Sequence, residues 1–173
     1  RDELNLSVIR SGNVIGGGDR AEYRLIKEVI DSINLGKTFE LRKPNSIRPW
    51  QFILDSLWGY LMAAQDNFTN KTNEVFNLNS ELNNEFTAEK IVKIFFDNWE
   101  GKVPEIIITK EEFEEVDILK INSTKARDIL NWTPIYDVKK TIMKIIEWEN
   151  DFKNNKNIDV SISQIQKYLK DRI

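Results

Sequence analysis

The spacing of apolar residues in this chain switches repeatedly between a period of two and one of about 3.6, and that alternation restricts the fold more than any other feature. "LNLSVIR" (4–10) alternates and is rich in branched residues, as a strand is. In "RLIKEVIDSINLG" the residues Leu25, Ile26, Val29, Ile30 and Ile33 fall on one helical stripe, and Gly36 stands where a left-handed C-cap belongs. "TFELRKP" (38–44) reads as a short strand stopped by Pro44. "SIRPWQFI" reads as extended chain around Pro49, because proline pushes the residue before it away from the helical region. Asp55 is placed to cap a helix carrying Leu57, Tyr60, Leu61 and Ala64, and "EVFNLNS" (74–80) alternates again. Thr87 is placed to cap "AEKIVKIFFDNW", and "EIIIT" (105–109) is strand-like. After a short extended "ILKI", Ser123 caps "TKARDIL", which "NWTP" (131–134) stops. One further helix carries Val138, Ile142, Ile145 and Ile146. A last one starts at Ser161, where Ser161 and Gln164 have capping-box spacing. The order β, α, β, α, β, α, β, α, α, α implies an α/β fold. The chain opens directly on a strand, as though earlier strands of a parallel sheet were missing.

At 173 residues the chain suits one domain, able to bury roughly two-thirds of its unfolded surface. Its 25 basic and 28 acidic side chains leave a formal net charge of −3, which argues against nucleic acid as a partner, since a polyanion rewards a basic face. The absence of cysteine rules out disulfides and thiolate nucleophiles and is compatible with a reducing compartment. The absence of histidine removes Ser-His-Asp triads and the commonest transition-metal ligand, leaving carboxylates, lysine, tyrosine or a bound cofactor for any chemistry. No run of 18 apolar residues occurs and "RDELNLSVIR" has no signal-peptide core, so the expectation is a cytoplasmic protein with no membrane partner.

"IRSGNVIGGGD" (9–19) raises the question of phosphate binding. Gly12, Gly16, Gly17 and Gly18 do not make the G-x-G-x-x-G dinucleotide spacing, and no Lys-Ser/Thr follows to make a P-loop. The glycines on their own need mean no more than a tight connection at positive φ. Their neighbours point further. Asn13 offers an amide at a strand's C-terminal end, where ligands of α/β sheets collect, and Arg24 adds a permanent cation at the start of the next helix. A second group, "RKPNSIRPWQ" (42–51), packs Arg42, Lys43 and Arg48 around two prolines and Trp50. It is either a surface turn over a buried tryptophan or, if Arg48 folds back toward Asn13 and Arg24, one side of an anion site suited to a nucleoside diphosphate sugar. "EEFEEVD" (111–117) is either a solvated acidic run or a place where Glu115 and Asp117 accept bonds from ribose hydroxyls. Trp99, Trp132, Trp148 and Phe152 read as core.

Taken in order, "RSGNVIGGGD", Arg24 in "RLI", "IRPWQFILDSLWGYLMAAQ", "FNLN" and "EEVDILKINSTKARDILNWTP" closely resemble the C-terminal half of the CDP-glucose 4,6-dehydratases, within the extended short-chain dehydrogenase/reductase family of NAD-dependent epimerases and dehydratases. The resemblance spans essentially the whole chain. It implies the C-terminal portion of a Rossmann-type enzyme: a mixed α/β substrate-binding region over residues 1–173 that lacks the first strands of the parallel sheet. In such enzymes NAD takes a hydride from C4 of the glucose, water leaves from C5 and C6, and the hydride returns to C6. The family's glycine fingerprint and Tyr-x-x-x-Lys motif would lie before residue 1, so the resemblance implies no catalytic residue here, and a chain inactive on its own. The formal matches Tyr23–Lys27 and Tyr136–Lys140 fall at the wrong places in the family's order.

Carried over by motif, Asn13, Arg24 and Arg48 would hold the CDP diphosphate, Glu115 would face the ribose, and Ser11 and Gly12 would border the nicotinamide; no metal is implied. Arg20, Lys27 and Phe52 stand where the family commonly has Trp, Pro and His, and Arg20 is placed to add a phosphate contact. The implied ligand is CDP-glucose or a related nucleotide sugar, and the full-length enzyme would be a homodimer. Two alternatives stay open: a catalytically silent nucleotide-sugar-binding or interaction module, and another extended short-chain epimerase or dehydratase. Residue types alone do not separate cytosine from uracil.

Overall fold

Strands and helices alternate as the apolar spacing requires, but the strands pair two by two. The computed structural model describes residues 5–80, 86–109, 116–155 and 159–173. Among the described residues six strands, β1 (Val8–Ser11), β2 (Asn13–Ile15), β3 (Phe39–Leu41), β4 (Trp50–Phe52), β5 (Val75–Leu78) and β6 (Ile106–Ile108), form three two-stranded parallel sheets, β1–β5, β2–β4 and β3–β6. In register, Ile9 lies opposite Phe76, Asn13 opposite Trp50 and Phe39 opposite Ile106. Parallel pairs need long crossovers, and helices supply them: α1 (Leu25–Leu35), α2 (Ile53–Asn70) and α3 (Ala88–Asp97), followed by α4 (Thr124–Leu130), α5 (Val138–Asn155) and α6 (Asp159–Arg172).

The strand expected at 4–10 is β1, and the glycine-bearing stretch after it, expected to be loop, contributes a second strand, β2, beyond a break at Gly12. The Gly12 N–H donates to the Leu78 carbonyl at 3.2 Å and the Asn13 N–H to the Pro49 carbonyl at 2.8 Å. Within two residues the chain leaves β5 and joins β4. A Cβ on Gly12 would stand 2.1 Å from the Pro49 oxygen, so the crossing requires glycine.

Alternation of burial follows from the helical stripes. Ile26, Val29 and Ile30 of α1, Ile91, Val92 and Phe95 of α3, and Ile142 and Ile145 of α5 close on Phe39 and Leu41 of β3 in the main core. A second cluster, including Phe76, Leu78, Ala126 and Trp132, lies under α2, and a third gathers Phe52, Tyr136 and Tyr168. Of the tryptophans, Trp132 is fully buried and Trp148 nearly so, as their reading as core requires; Trp99 and Phe152 are half-buried.

Caps separate the expectations further. Gly36 adopts φ 62°, ψ 29° and ends α1, and the Thr87 side chain accepts from the Lys90 N–H at 3.2 Å. Three other caps differ from expectation in position or in bonding. Asp55 lies inside the first turn of α2, for which Phe52 is the N-cap, and its carboxylate serves distant groups. At α4 Ser123 holds the N-cap position, but without a side-chain capping bond: Asn122 Oδ1 takes the Thr124 N–H (2.8 Å), while Ser123 Oγ donates to the Asn79 carbonyl (3.4 Å). Helix α6 begins at Asp159, so Ser161 and Gln164 lie within it and tie it to α5: Ser161 Oγ accepts from Trp148 Nε1 (3.0 Å), and Gln164 Nε2 donates to the Lys144 carbonyl (2.8 Å). "ILKI" contributes only an isolated bridge, Ile118 to Ile47.

The inward face of α2 is also not the expected one. Leu57, Tyr60 and Leu61 are exposed, and Asp55, Ser56, Gly59 and Ala63 face inward. Gly59 explains the choice: a Cβ there would stand 2.5 Å from Leu78 and 2.9 Å from the Trp132 indole nitrogen, so the small-residue side is the one that lets α2 approach β5. Among the described residues no helix is long and apolar enough to cross a membrane.

Candidate functional site

A cavity of about 560 Å³ opens where β2, β4, the end of β3 and the start of α1 converge. Asn13, Arg24 and Arg48, three of the residues singled out in the sequence, all line it. Asn13 is the first residue of β2, half-buried against β4. Arg24 directly precedes α1 in extended conformation (φ −101°, ψ 124°), with its own side chain exposed and no side-chain cap bond at the helix start. It places a cation beside N–H groups that a helix leaves without intrahelical partners.

Arg48 is held differently. Pro49 keeps the segment extended, and the Ile47 N–H and the Leu119 N–H close bonds with Asp117 and Ile47 carbonyls at 2.8 and 3.0 Å. The Arg48 side chain is buried, and its Nη1 donates to the Ile47 carbonyl (2.9 Å) and the Asp117 carbonyl (3.2 Å). Its orientation is therefore set by folding rather than by a ligand, which reduces the entropy lost on binding. Trp50 is buried, with Nε1 donating to the Phe86 carbonyl at 3.1 Å, and Arg48 beside it lines the cavity.

The remaining wall carries Arg42 and Lys43 together with Glu28, Glu40 and Asp19, giving four cationic and three acidic side chains in a chain of net charge −3. Arg42 Nη2 lies 2.9 and 3.1 Å from the two carboxylate oxygens of Glu28. Glu28 was not singled out in the sequence; it lies in the first turn of α1, its N–H donating to the Arg24 carbonyl at 2.9 Å.

Ser11 and Gly12 do not line the cavity. Ser11 ends β1 with its Oγ 3.4 Å from the Tyr60 hydroxyl, and Gly12 sits at the strand break under Pro49. Glu115 lies outside the described residues, and Asp117 contributes its backbone carbonyl to Arg48.

The glycine run turns against protein. A Cβ at Gly16 would stand 2.5 Å from Ile53, one at Gly17 2.3 Å from Trp148, and one at Gly18 (φ 79°) 2.8 Å from Trp148. Residues 16–18 therefore make room for α2 and α5, and Gly16 also lines the cavity. Arg20 serves the same packing and is not turned to the cavity as a phosphate contact: its Nη1 and Nη2 donate to Glu149 Oε1 and Oε2 at 3.0 and 2.9 Å, and Glu149 Oε1 also takes the Gly18 N–H at 3.0 Å.

Neither Tyr-x-x-x-Lys match forms a catalytic pair. Tyr136 donates to Asp171 Oδ2 at 2.6 Å, and burial together with that bond pushes its phenol well above the ordinary value. Tyr23 is 80% exposed, and Lys27 is ion-paired with Asp31.

No family model matches the chain. It is 33% identical over 147 residues to CDP-glucose 4,6-dehydratase of Salmonella typhimurium, an alignment that covers 84% of this chain and 41% of that enzyme. Its fold superposes on UDP-glucose 4-epimerase from Stenotrophomonas maltophila with bound NAD and formylated UDP-arabinopyranose (TM-score 0.75, 12% identity, 88% of this chain and 49% of that one). It also superposes on dTDP-glucose 4,6-dehydratase from Bacillus anthracis in complex with NAD (TM-score 0.69, 19% identity, 89% and 46%). The chain spans less than half the length of each of these relatives. The resemblance read from the motifs stands: the chain is a relative of CDP-glucose 4,6-dehydratase and has the fold of the Rossmann-type extended short-chain epimerases and dehydratases.

Proposed function

We propose that residues 1–173 are the nucleotide-sugar-binding region of an NAD-dependent CDP-glucose 4,6-dehydratase, the lyase that turns CDP-glucose into CDP-4-dehydro-6-deoxyglucose and water. The convergence of Asn13, Arg24 and Arg48 on one cavity carries this reading. A diphosphate brings two anionic groups rich in acceptors. The two guanidinium groups donate charge-assisted bonds to them, about twice as strong as neutral ones, and the Asn13 amide adds a neutral donor. Glu115 is assigned to the ribose, and Ser11 and Gly12 to the rim of the nicotinamide. NAD, when bound, supplies the transient hydride acceptance. The glycine run of this chain packs against Ile53 and Trp148. What these residues do is bind and orient the nucleotide sugar.

Calorimetric titration of CDP-glucose tests the reading. Arg48→Ala is expected to weaken binding by about 1.5–3 kcal/mol, the range for a hydrogen bond to a charged group. An unchanged dissociation constant removes Arg48 from the site, and a folded chain that binds neither CDP nor CDP-glucose overturns the assignment.

A further inference from the structure

We infer that Tyr23 is the platform on which the nucleotide base stacks. The inference rests on the assignment of the cavity to a nucleoside diphosphate sugar. Tyr23 lines that cavity together with its neighbour Arg24, yet 80% of it is exposed, so it stands at the mouth. Among the described residues its hydroxyl makes no hydrogen bond and its ring meets no other ring.

The backbone supplies a second, independent observation. Tyr23 lies at φ 62°, in the left-handed region that a bulky side chain seldom adopts. Among the described residues two other non-glycine residues share that region, Lys71 (φ 55°) and Asn131 (φ 54°). Each of these is the C-cap of a helix, α2 or α4, where a left-handed residue closes the last turn. Tyr23 closes no helix; it precedes α1, and neither burial nor a hydrogen bond of its side chain offsets its strain. The conformation is fixed from both sides. Before it, Asp19 Oδ1 accepts the Ala21 N–H at 3.0 Å and Arg20 is bonded to Glu149; after it, the Arg24 carbonyl accepts the Glu28 N–H at 2.9 Å. A strained aromatic residue held at the mouth of a cavity is preorganised for a ligand.

The chemistry of the ring selects the part of the ligand. With the diphosphate on Arg24, Arg48 and Asn13, the base and the hexose are the two ends left to place. The hexose carries the reacting carbons and belongs where water is excluded, which leaves the base for the open mouth. A phenol ring offers a flat π face, and stacking asks no particular donor or acceptor of the base, so it adds affinity without choosing among bases. Trp50, the other aromatic residue among those lining the cavity, is buried with its Nε1 engaged by the Phe86 carbonyl.

Titration of the full chain with CDP, UDP, CDP-glucose and inorganic pyrophosphate tests the inference, with a urea midpoint for each variant. Tyr23→Gly is expected to weaken CDP and UDP alike by about ten-fold, within the range for one stacked base, and to leave pyrophosphate unchanged. Its urea midpoint is expected not to fall, because glycine holds left-handed space without strain. Tyr23→Phe keeps the ring and is expected to bind CDP within about two-fold of wild type. Unchanged CDP affinity in Tyr23→Gly overturns the stacking role, as does a loss shared equally by pyrophosphate or a loss confined to CDP-glucose. So does a Tyr23→Phe variant as weak as Tyr23→Gly, which would place the contact on the hydroxyl. Each of these outcomes leaves the diphosphate site standing as long as wild type binds CDP. A folded wild-type chain that binds none of the four overturns both.

Discussion

Gly17 and Gly36 flank α1 on either side, and they are glycine for different reasons. Gly36 occupies left-handed space, and a Cβ there would meet nothing within 4 Å, whereas at Gly17 the obstacle is Trp148 at 2.3 Å. Gly36→Ala is therefore expected to cost about 1–2 kcal/mol through backbone conformation alone. Gly17→Ala is expected to cost about 1–3 kcal/mol through overpacking, and to quench or shift tryptophan fluorescence because the indole must move. Urea denaturation of both variants, followed by fluorescence, checks the contrast. Local spacing exposed Gly36 as a C-cap because the helix it ends is itself local. The role of Gly17 depends on a tryptophan 131 positions away in the chain, which no local pattern shows. Arg48 stands between these cases: the prolines beside it made a rigid arginine legible, but its direction depends on the carbonyl of Asp117, 69 residues later.

Helix α6 clamps the start of α2 through Asp55. Asp55 is fully buried; its Oδ1 accepts from the Tyr168 hydroxyl (2.8 Å) and the Ile135 N–H (3.0 Å), with Arg172 Nη1 at 3.4 Å. Arg172 also donates to the Tyr168 oxygen (2.6 Å) and to the Thr133 carbonyl (2.9 Å). Burial pushes the Asp55 carboxyl above its ordinary value, and the bonds from Ile135, Tyr168 and Arg172 only partly oppose this. A carboxyl whose folded pKa is raised holds its proton more tightly in the folded state. Stability is then lost as pH rises from the unfolded value, about 3.9, through the raised folded one. Wild type is therefore expected to lose stability relative to Asp55→Asn as pH rises above about 4, as read from denaturation midpoints at each pH. A difference independent of pH would show that Asp55 titrates normally. Glu147, whose burial is outweighed by bonds from Lys144 and Lys167 so that its carboxyl lies below the ordinary value, acts with the opposite sign but is common to both proteins.

For the molecule as a whole, a net charge of −3 conceals a cavity in which cationic side chains outnumber acidic ones. Binding of a nucleoside diphosphate there is expected to weaken as ionic strength rises from about 0.1 to 1 M, where the screening length falls from about 10 to 3 Å. Titrations of CDP and of uncharged cytidine at both salt concentrations check this: CDP affinity should fall while cytidine changes little. A CDP affinity independent of salt would take the arginines out of the recognition. The sequence by itself determined the alternation of strands with helices, the caps at Gly36 and Thr87, the extended Arg48-Pro49-Trp50 segment and the likeness to the nucleotide-sugar dehydratases, because each depends on neighbours within one segment. Only the tertiary structure decided that a second strand follows the first across a break at Gly12, from β5 to β4, that α2 docks on its small-residue face, that the glycine run packs against Ile53 and Trp148, and that Glu28 stands beside Arg42 in the cavity. Those features depend on which surfaces approach closely enough to exclude a side chain or complete a hydrogen bond, a condition set jointly by residues far apart in the chain.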